Sequence, residues 1–226
     1  MHVAILLYDR FTALDAMGPF EVFASLYGAK VRFVAEQAGF MQNDIGALKV
    51  TVDCTLADLP NPDVIVVPGG PGCFAVMKNE RILDWLRNAH TAARWTTSVC
   101  TGSLILGAAG LLHGLQATTH WASWADLAPL GATYVRERYV PQGKIITAAG
   151  VSAGIDMALF VCQQLADLPT AVAIQLAIEY DPQPPLPMIT PPTQIEQLNV
   201  HNWRVMEQRM GHSHPLAPKA DAGHKS

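Results

Sequence analysis

Cysteine is scarce in this 226-residue sequence, and its four copies are scattered. Cys54, Cys73, Cys100 and Cys162 form no C-x-x-C pair, no zinc-knuckle spacing and no dense secreted framework, so neither a cysteine-built metal site nor a disulfide scaffold is expected. Charge is sparse too. Only 15% of residues are charged, the net charge is -4, and the 15 Lys and Arg are dispersed. That leaves no basic stripe for a phosphate backbone and argues against nucleic acid as a partner. The amino terminus lacks both a basic leader and a membrane-length apolar run. MHVAILLYDRF meets Asp9 and Arg10 at once and reads as a first strand, with a cytoplasmic location and no membrane partner as the expectation. Of the eight histidines, His212, His214 and His224 sit in the terminal tail, which reads as a polar end rather than a metal site.

What the chain has in quantity is apolar side chain. Half of its residues are hydrophobic, enough for one sizeable core in one domain. Val3 to Tyr8 and Asp63 to Gly70 are continuous apolar runs bounded by turn residues, the pattern of strands buried on both faces. Val31 to Ala35, Ala47 to Val52, Trp95 to Val99 and a pair near Tyr134 to Thr147 read as further strands. Helices are expected after Asp15, with Pro19 in the first turn and Gly28 at the end, and over Arg81 to Ala93, Gly102 to Ala109 and Ser152 to Leu165. Alternating strands and helices imply an α/β fold: a mostly parallel sheet with helices on both faces and ligands bound at the carboxyl ends of its strands. Beyond Tyr180 the proline density of D-P-Q-P-P-L-P reads as an extended arm, followed by one short helix over Gln194 to Met210 and a disordered tail.

The stretch T-T-S-V-C-T-G-S carries the clearest chemical signal. Free cysteine is usually a small buried residue. Here, however, a β-rich strand ends at Cys100 and a helix opens with Thr101, Gly102 and Ser103, the layout of a nucleophile elbow. A helix amino terminus favours thiolate over thiol, so Cys100 is expected to be nucleophilic near neutral pH without a histidine base. Asp15 is either a helix-capping aspartate or a carboxyl facing that sulfur, since its segment leaves the first strand toward the same sheet edge. Gly70 is either a turn residue or a backbone donor to developing negative charge, and Pro71 has no N–H to offer. Thr101 is either a helix-terminal residue or a hydroxyl that positions substrate. His120 would be the base of a Cys-His enzyme but is read as packing on Trp121. Glu21 and Asp156 are assigned to helix surfaces or local hydrogen bonds, and Cys54, Cys73 and Cys162 lack an elbow context.

Together L-D-A-M-G-P-F-E-V, V-I-V-V-P-G-G, T-S-V-C-T-G-S-L-I-L-G-A-A-G-L-L, A-T-T-H-W and A-G-V-S-A-G-I-D-M-A-L resemble the ThiJ/PfpI superfamily, in order, from Val3 to Tyr180. The resemblance implies a flavodoxin-like catalytic domain over 1–180, with 181–226 as an appended arm, and a homodimer acting on a small molecule without metal or organic cofactor. Among superfamily members the likeness is to those that hydrate isonitriles to N-substituted formamides. It implies Cys100 as nucleophile, Asp15 as proton carrier and Thr101 as the threonine beside the sulfur. Many members have glutamate in place of Asp15, whereas the isonitrile-hydrating ones resemble this chain in having aspartate. Peptidase-like members have histidine in place of Thr101, which disfavours a Cys-His peptidase. Three other readings remain: a glyoxalase-like or deglycating enzyme, a stand-alone ligand sensor like the sensor half of AraC-type regulators, and a redox sensor.

Overall fold

The computed structural model describes residues 1–185. Packing divides the chain into Met1–Tyr180 and Asp181–Ser226. Of the second unit only 181–185 is described. There the Gln183 side-chain amide donates to the Asp181 carboxylate at 2.9 Å. The helix expected over Gln194 to Met210, the tail and its histidines lie outside the described residues.

The first unit is built on a seven-stranded sheet. In chain order the elements are β1 (His2–Leu6), α1 (Ala13–Ala24), β2 (Lys30–Ala35), β3 (Phe40–Gln42), β4 (Lys49–Thr51), β5 (Cys54–Thr55), β6 (Val64–Val67), α2 (Cys73–Val76), α3 (Glu80–Ala92), β7 (Trp95–Val99), α4 (Gly102–Ala108), β8 (Gln116–Ala117), β9 (Thr133–Tyr134), β10 (Tyr139–Gln142), β11 (Ile145–Ala148), α5 (Ala153–Leu165) and α6 (Leu168–Ala177). The sheet order is β10-β11-β7-β6-β1-β2-β5, parallel throughout except for the β10–β11 hairpin. Its strands β2, β1, β6, β7 and β11 follow the flavodoxin-like order, which reverses direction between β1 and β6.

Register follows from burial. Val64 to Val67 of β6 are all fully buried, as are Val3 to Leu6 of β1, so both strands need cover on both faces. The pairs Ile5 with Val66, Val67 with Ser98 and Val99 with Ala148 bring the carboxyl ends of β1, β6, β7 and β11 to one edge. Helix α3 turns Ile82, Leu83, Trp85, Leu86 and Ala89 inward, and the Asn79 side chain caps it by accepting from the N–H groups of Arg81 and Ile82. Each large side chain buried in this way contributes about 1.5–3 kcal/mol.

Pro19 departs from expectation. It lies inside α1 rather than in the first turn, leaving the Asp15 carbonyl without a helical donor. Packing holds the helix there. The Pro19 ring lies against Gly154 of α5, and Gly18 gives the Ile155 side chain close approach. Helix α1 ends at Ala24, short of Gly28, and Tyr27 is fully exposed. Among the described residues no helix is long and apolar enough to cross a membrane.

Candidate active site

Three loops leave the aligned strand ends and meet: Tyr8 to Thr12 after β1, Pro68 to Gly70 after β6, and Cys100 after β7. Cys100 has φ of 59°, a left-handed conformation that is strained for any residue with a Cβ. Its backbone is fixed on both sides. The Cys100 N–H is shared between the carbonyls of Ala148 and Ala149 at 3.1 and 3.0 Å, and its carbonyl accepts from the hydroxyls of Ser103 and Thr119, each at 3.1 Å. Such over-determination is what lets a strained residue persist.

Two glycines admit this turn. A Cβ on Gly102 would lie 2.0 Å from the Val67 carbonyl oxygen, and one on Gly69 would lie 2.5 Å from the Thr101 nitrogen and 2.9 Å from the Cys100 Cβ. Helix α4 therefore approaches the β6 loop only because both side chains are missing.

Asp15 stands in the first turn of α1 and is completely buried. One carboxyl oxygen accepts the Gly69 N–H at 2.9 Å, and the carboxyl lies close enough to Cys100 for its charge to oppose ionisation of the thiol. The Asp15 side chain thus reaches across to the β6 loop rather than back to its own helix end.

Electrostatics act on the sulfur from several sides. Burial is the largest influence on Cys100 and pushes its thiol well above the ordinary value. The Asp15 carboxylate adds to the rise, and the Thr101 N–H offsets it in part. Cys100 is only 6% exposed, so loss of hydration opposes the nearby backbone donors.

The Gly70 N–H, expected to face developing charge, donates instead to the Thr101 hydroxyl at 2.9 Å. The same hydroxyl donates to the Gly70 carbonyl at 3.3 Å, which ties the two expected substrate-binding residues to each other. His120 packs on Trp121 with ring centroids 5.5 Å apart, and its Nδ1 accepts the Ala122 N–H at 3.3 Å. Asp156 accepts from the Arg138 guanidinium at 2.5 Å, one of the two roles expected of it.

Sequence reasoning passed over several contributors. The Tyr8 hydroxyl donates to the Pro68 carbonyl at 2.7 Å, bracing the glycine turn. Thr119 could have been found in A-T-T-H-W, where its hydroxyl was overshadowed by the neighbouring histidine. Cys73, set aside for want of an elbow, lies against Thr101. A cleft of about 270 Å³ opens on the far side of Tyr8, lined also by Asp9 and Glu36 but not by Cys100 or Asp15. Among the described residues no three His, Cys, Asp or Glu side chains converge as a metal site would require.

The sequence and the doubly wound sheet have counterparts elsewhere. The chain is 44% identical over 194 residues to isonitrile hydratase of Pseudomonas putida, a match spanning 85% of this chain and 84% of that protein. A crystal structure of a ThiJ/PfpI family protein from Pseudomonas syringae superposes with a TM-score of 0.81 at 36% identity, covering 91% of this chain and 84% of that one. The HTH-type transcriptional regulator CdhR of Pseudomonas aeruginosa is 30% identical over 68% of this chain, which spans only 44% of the regulator. The DJ-1/PfpI family profile matches residues 1–164, most of the folded unit, and with these relatives it establishes that the chain belongs to the DJ-1/PfpI family.

Proposed function

We propose that this protein hydrates isonitriles, converting R-N≡C to the N-substituted formamide through a thioimidate on Cys100. The observation that carries the reading is the fully buried Asp15 carboxyl, held by the Gly69 N–H at the sheet edge where Cys100 stands and close enough to raise that thiol. Isonitrile hydration ends with a hydrogen on the carbon that is attacked. It therefore calls for a soft nucleophile and a proton carrier at the same point, and a water-poor pocket suits an uncharged substrate. The isonitrile hydratase of Pseudomonas putida, at 44% identity, supports the same reading.

The proton path follows from the pair. As Sγ of Cys100 bonds to the terminal carbon, its proton passes through Asp15 to that carbon and gives R-N=CH-S-Cys. Asp15 then takes a proton from a water whose oxygen adds to the same carbon and passes it to the nitrogen. As the carbon–sulfur bond breaks, the hydroxyl proton of the adduct passes through Asp15 to the leaving sulfur, and R-NH-CHO departs. One water is consumed and the pair is restored. Gly69 holds Asp15 in place, and the fixed Cys100 backbone keeps the sulfur aimed.

The test is formamide production from cyclohexyl isonitrile by the wild type and Cys100→Ala, with methylglyoxal offered in parallel. Turnover of the isonitrile that vanishes in the variant supports the reading. Turnover of methylglyoxal alone would replace it with carbonyl processing. The reading includes a homodimer, and sedimentation equilibrium giving one chain mass would remove that part.

A further inference from the structure

The carbonyl of Cys100 is held from two directions. Ser103 reaches it from three residues on, its hydroxyl at 3.1 Å, and that contact travels with α4. Thr119 reaches it from 19 residues on, also at 3.1 Å, and is itself buried. The segment that carries Thr119 is tied down in turn. The Thr118 N–H donates to the Thr147 hydroxyl of β11 at 2.9 Å, and the Thr118 hydroxyl donates to the Glu137 carbonyl at 3.0 Å. Thr119 therefore anchors the elbow to the sheet, where Ser103 anchors it only to its own helix.

A peptide unit is planar and trans, so its carbonyl and its N–H point in opposite directions. Fixing the Cys100 carbonyl thus fixes the N–H of the same unit, which belongs to Thr101. That nitrogen and the root of the cysteine side chain meet over the bare face of Gly69, where one added Cβ would stand 2.5 Å from the Thr101 nitrogen and 2.9 Å from the Cys100 Cβ. With Cys100 at a left-handed φ of 59°, this peptide keeps its orientation only while its surroundings hold it. Hydrogen bonds received at the carbonyl also strengthen the N–H at the other end of the unit as a donor. We propose that Thr119 is a positioning residue: its hydroxyl holds the Cys100–Thr101 peptide so that the Thr101 N–H is turned toward the Cys100 sulfur and stabilises negative charge growing there. On the resting group that N–H already favours the thiolate, against the larger effect of burial. In turnover the sulfur gains negative charge as it gives up its proton and again as the carbon–sulfur bond breaks, and the same donor serves both moments.

The kinetic consequence rests on the hydratase reading; the alkylation consequence does not. In the full chain, Thr119→Val removes the hydroxyl and keeps the shape of the side chain. The pH midpoint of Cys100 alkylation by iodoacetamide is expected to rise by roughly half to one unit, the effect of weakening one hydrogen bond to the charged form. Asp15, Cys73 and Tyr8 are the titratable groups that interact with the sulfur, and all three are unchanged in this variant. With cyclohexyl isonitrile, kcat is expected to fall roughly three- to tenfold, with KM changing less. Thr119→Ser, which keeps the donor, is expected to restore both quantities. Thr119→Ala, too small to clash, is expected to match Thr119→Val. A midpoint that stays put in Thr119→Val and Thr119→Ala overturns the proposal, as does wild-type kcat in these variants of a protein that hydrates isonitrile. Equal changes in Thr119→Val and Thr119→Ser would mark packing rather than donation and overturn it too. A midpoint that rises, and is restored by serine, in a protein with no isonitrile turnover would uphold the role of Thr119 and sink the hydratase reading instead.

Discussion

Asp15 and Cys100 act on each other's charge while both are buried, and that decides what single substitutions do there. Asp15→Asn is expected to cut turnover by about 10²–10⁴-fold, the usual span for losing an acid–base group, while Cys100 stays open to alkylation. The pH midpoint of that alkylation is expected to fall, because a negative charge that disfavours the thiolate has gone. It stays above the ordinary thiol value because burial, the larger cause, remains. A rate-against-pH profile with iodoacetamide checks both points, and an unmoved midpoint would deny that the carboxylate faces the sulfur. Cys100 was legible from T-S-V-C-T-G-S, and Asp15 from the loop that follows the first strand. The depth of burial was not. A local stretch displays its helix amino terminus but not how deeply the fold will bury the sulfur. The bond from Gly70 to Thr101 was hidden for a related reason, since it joins residues 31 apart that meet only when two strands align.

At the scale of elements, α4 and the β6 loop approach as closely as bare backbone allows. Gly102→Ala would set a Cβ 2.0 Å from the Val67 carbonyl oxygen, and backbone cannot swing aside as a side chain does. The expected cost is at least about 2 kcal/mol, read as a lowered thermal midpoint; a midpoint within a degree of wild type would mean that the turn is loose. Strands β1 and β6 were readable because burial on both faces leaves a near-continuous apolar run, β7 because Trp, Thr and Val favour a strand, and α3 because its apolar residues recur on one side. Helix α6 was missed for the opposite reason. Leu168, Val172 and Leu176 are exposed while Ala171 and Ile174 are buried, so apolar residues surround it and no single face stands out. The interior Pro19 misled as well, because local propensity places it in a first turn and only the α1–α5 contact explains where it lies.

The whole molecule keeps several protons out of water's reach. Burial is the leading cause that raises Tyr8, Cys73, Cys100 and Cys162, with Cys73 at about 11 and Cys162 at about 12. Above the ordinary thiol value of 9.0 the unfolded chain releases protons that the folded one retains, so unfolding gains ground with rising pH. Stability from these groups is fully present below that pH and is lost as it climbs toward the folded values. A thermal midpoint that drops steadily above about pH 9 is expected, and a flat one across that window would show that the thiols are hydrated. The sheet carries a consequence of a different kind. Its outermost described strands are β10 and β5, the latter only two residues long. The β10–β11 hairpin turns through Gly143 and Lys144, which puts Pro141 opposite Ile146 in a pair that exchanges no backbone bonds and leaves the missing N–H facing outward. One border is thus too short to template a neighbouring strand and the other lacks a donor in its middle, so this sheet is poorly suited to growing from copy to copy.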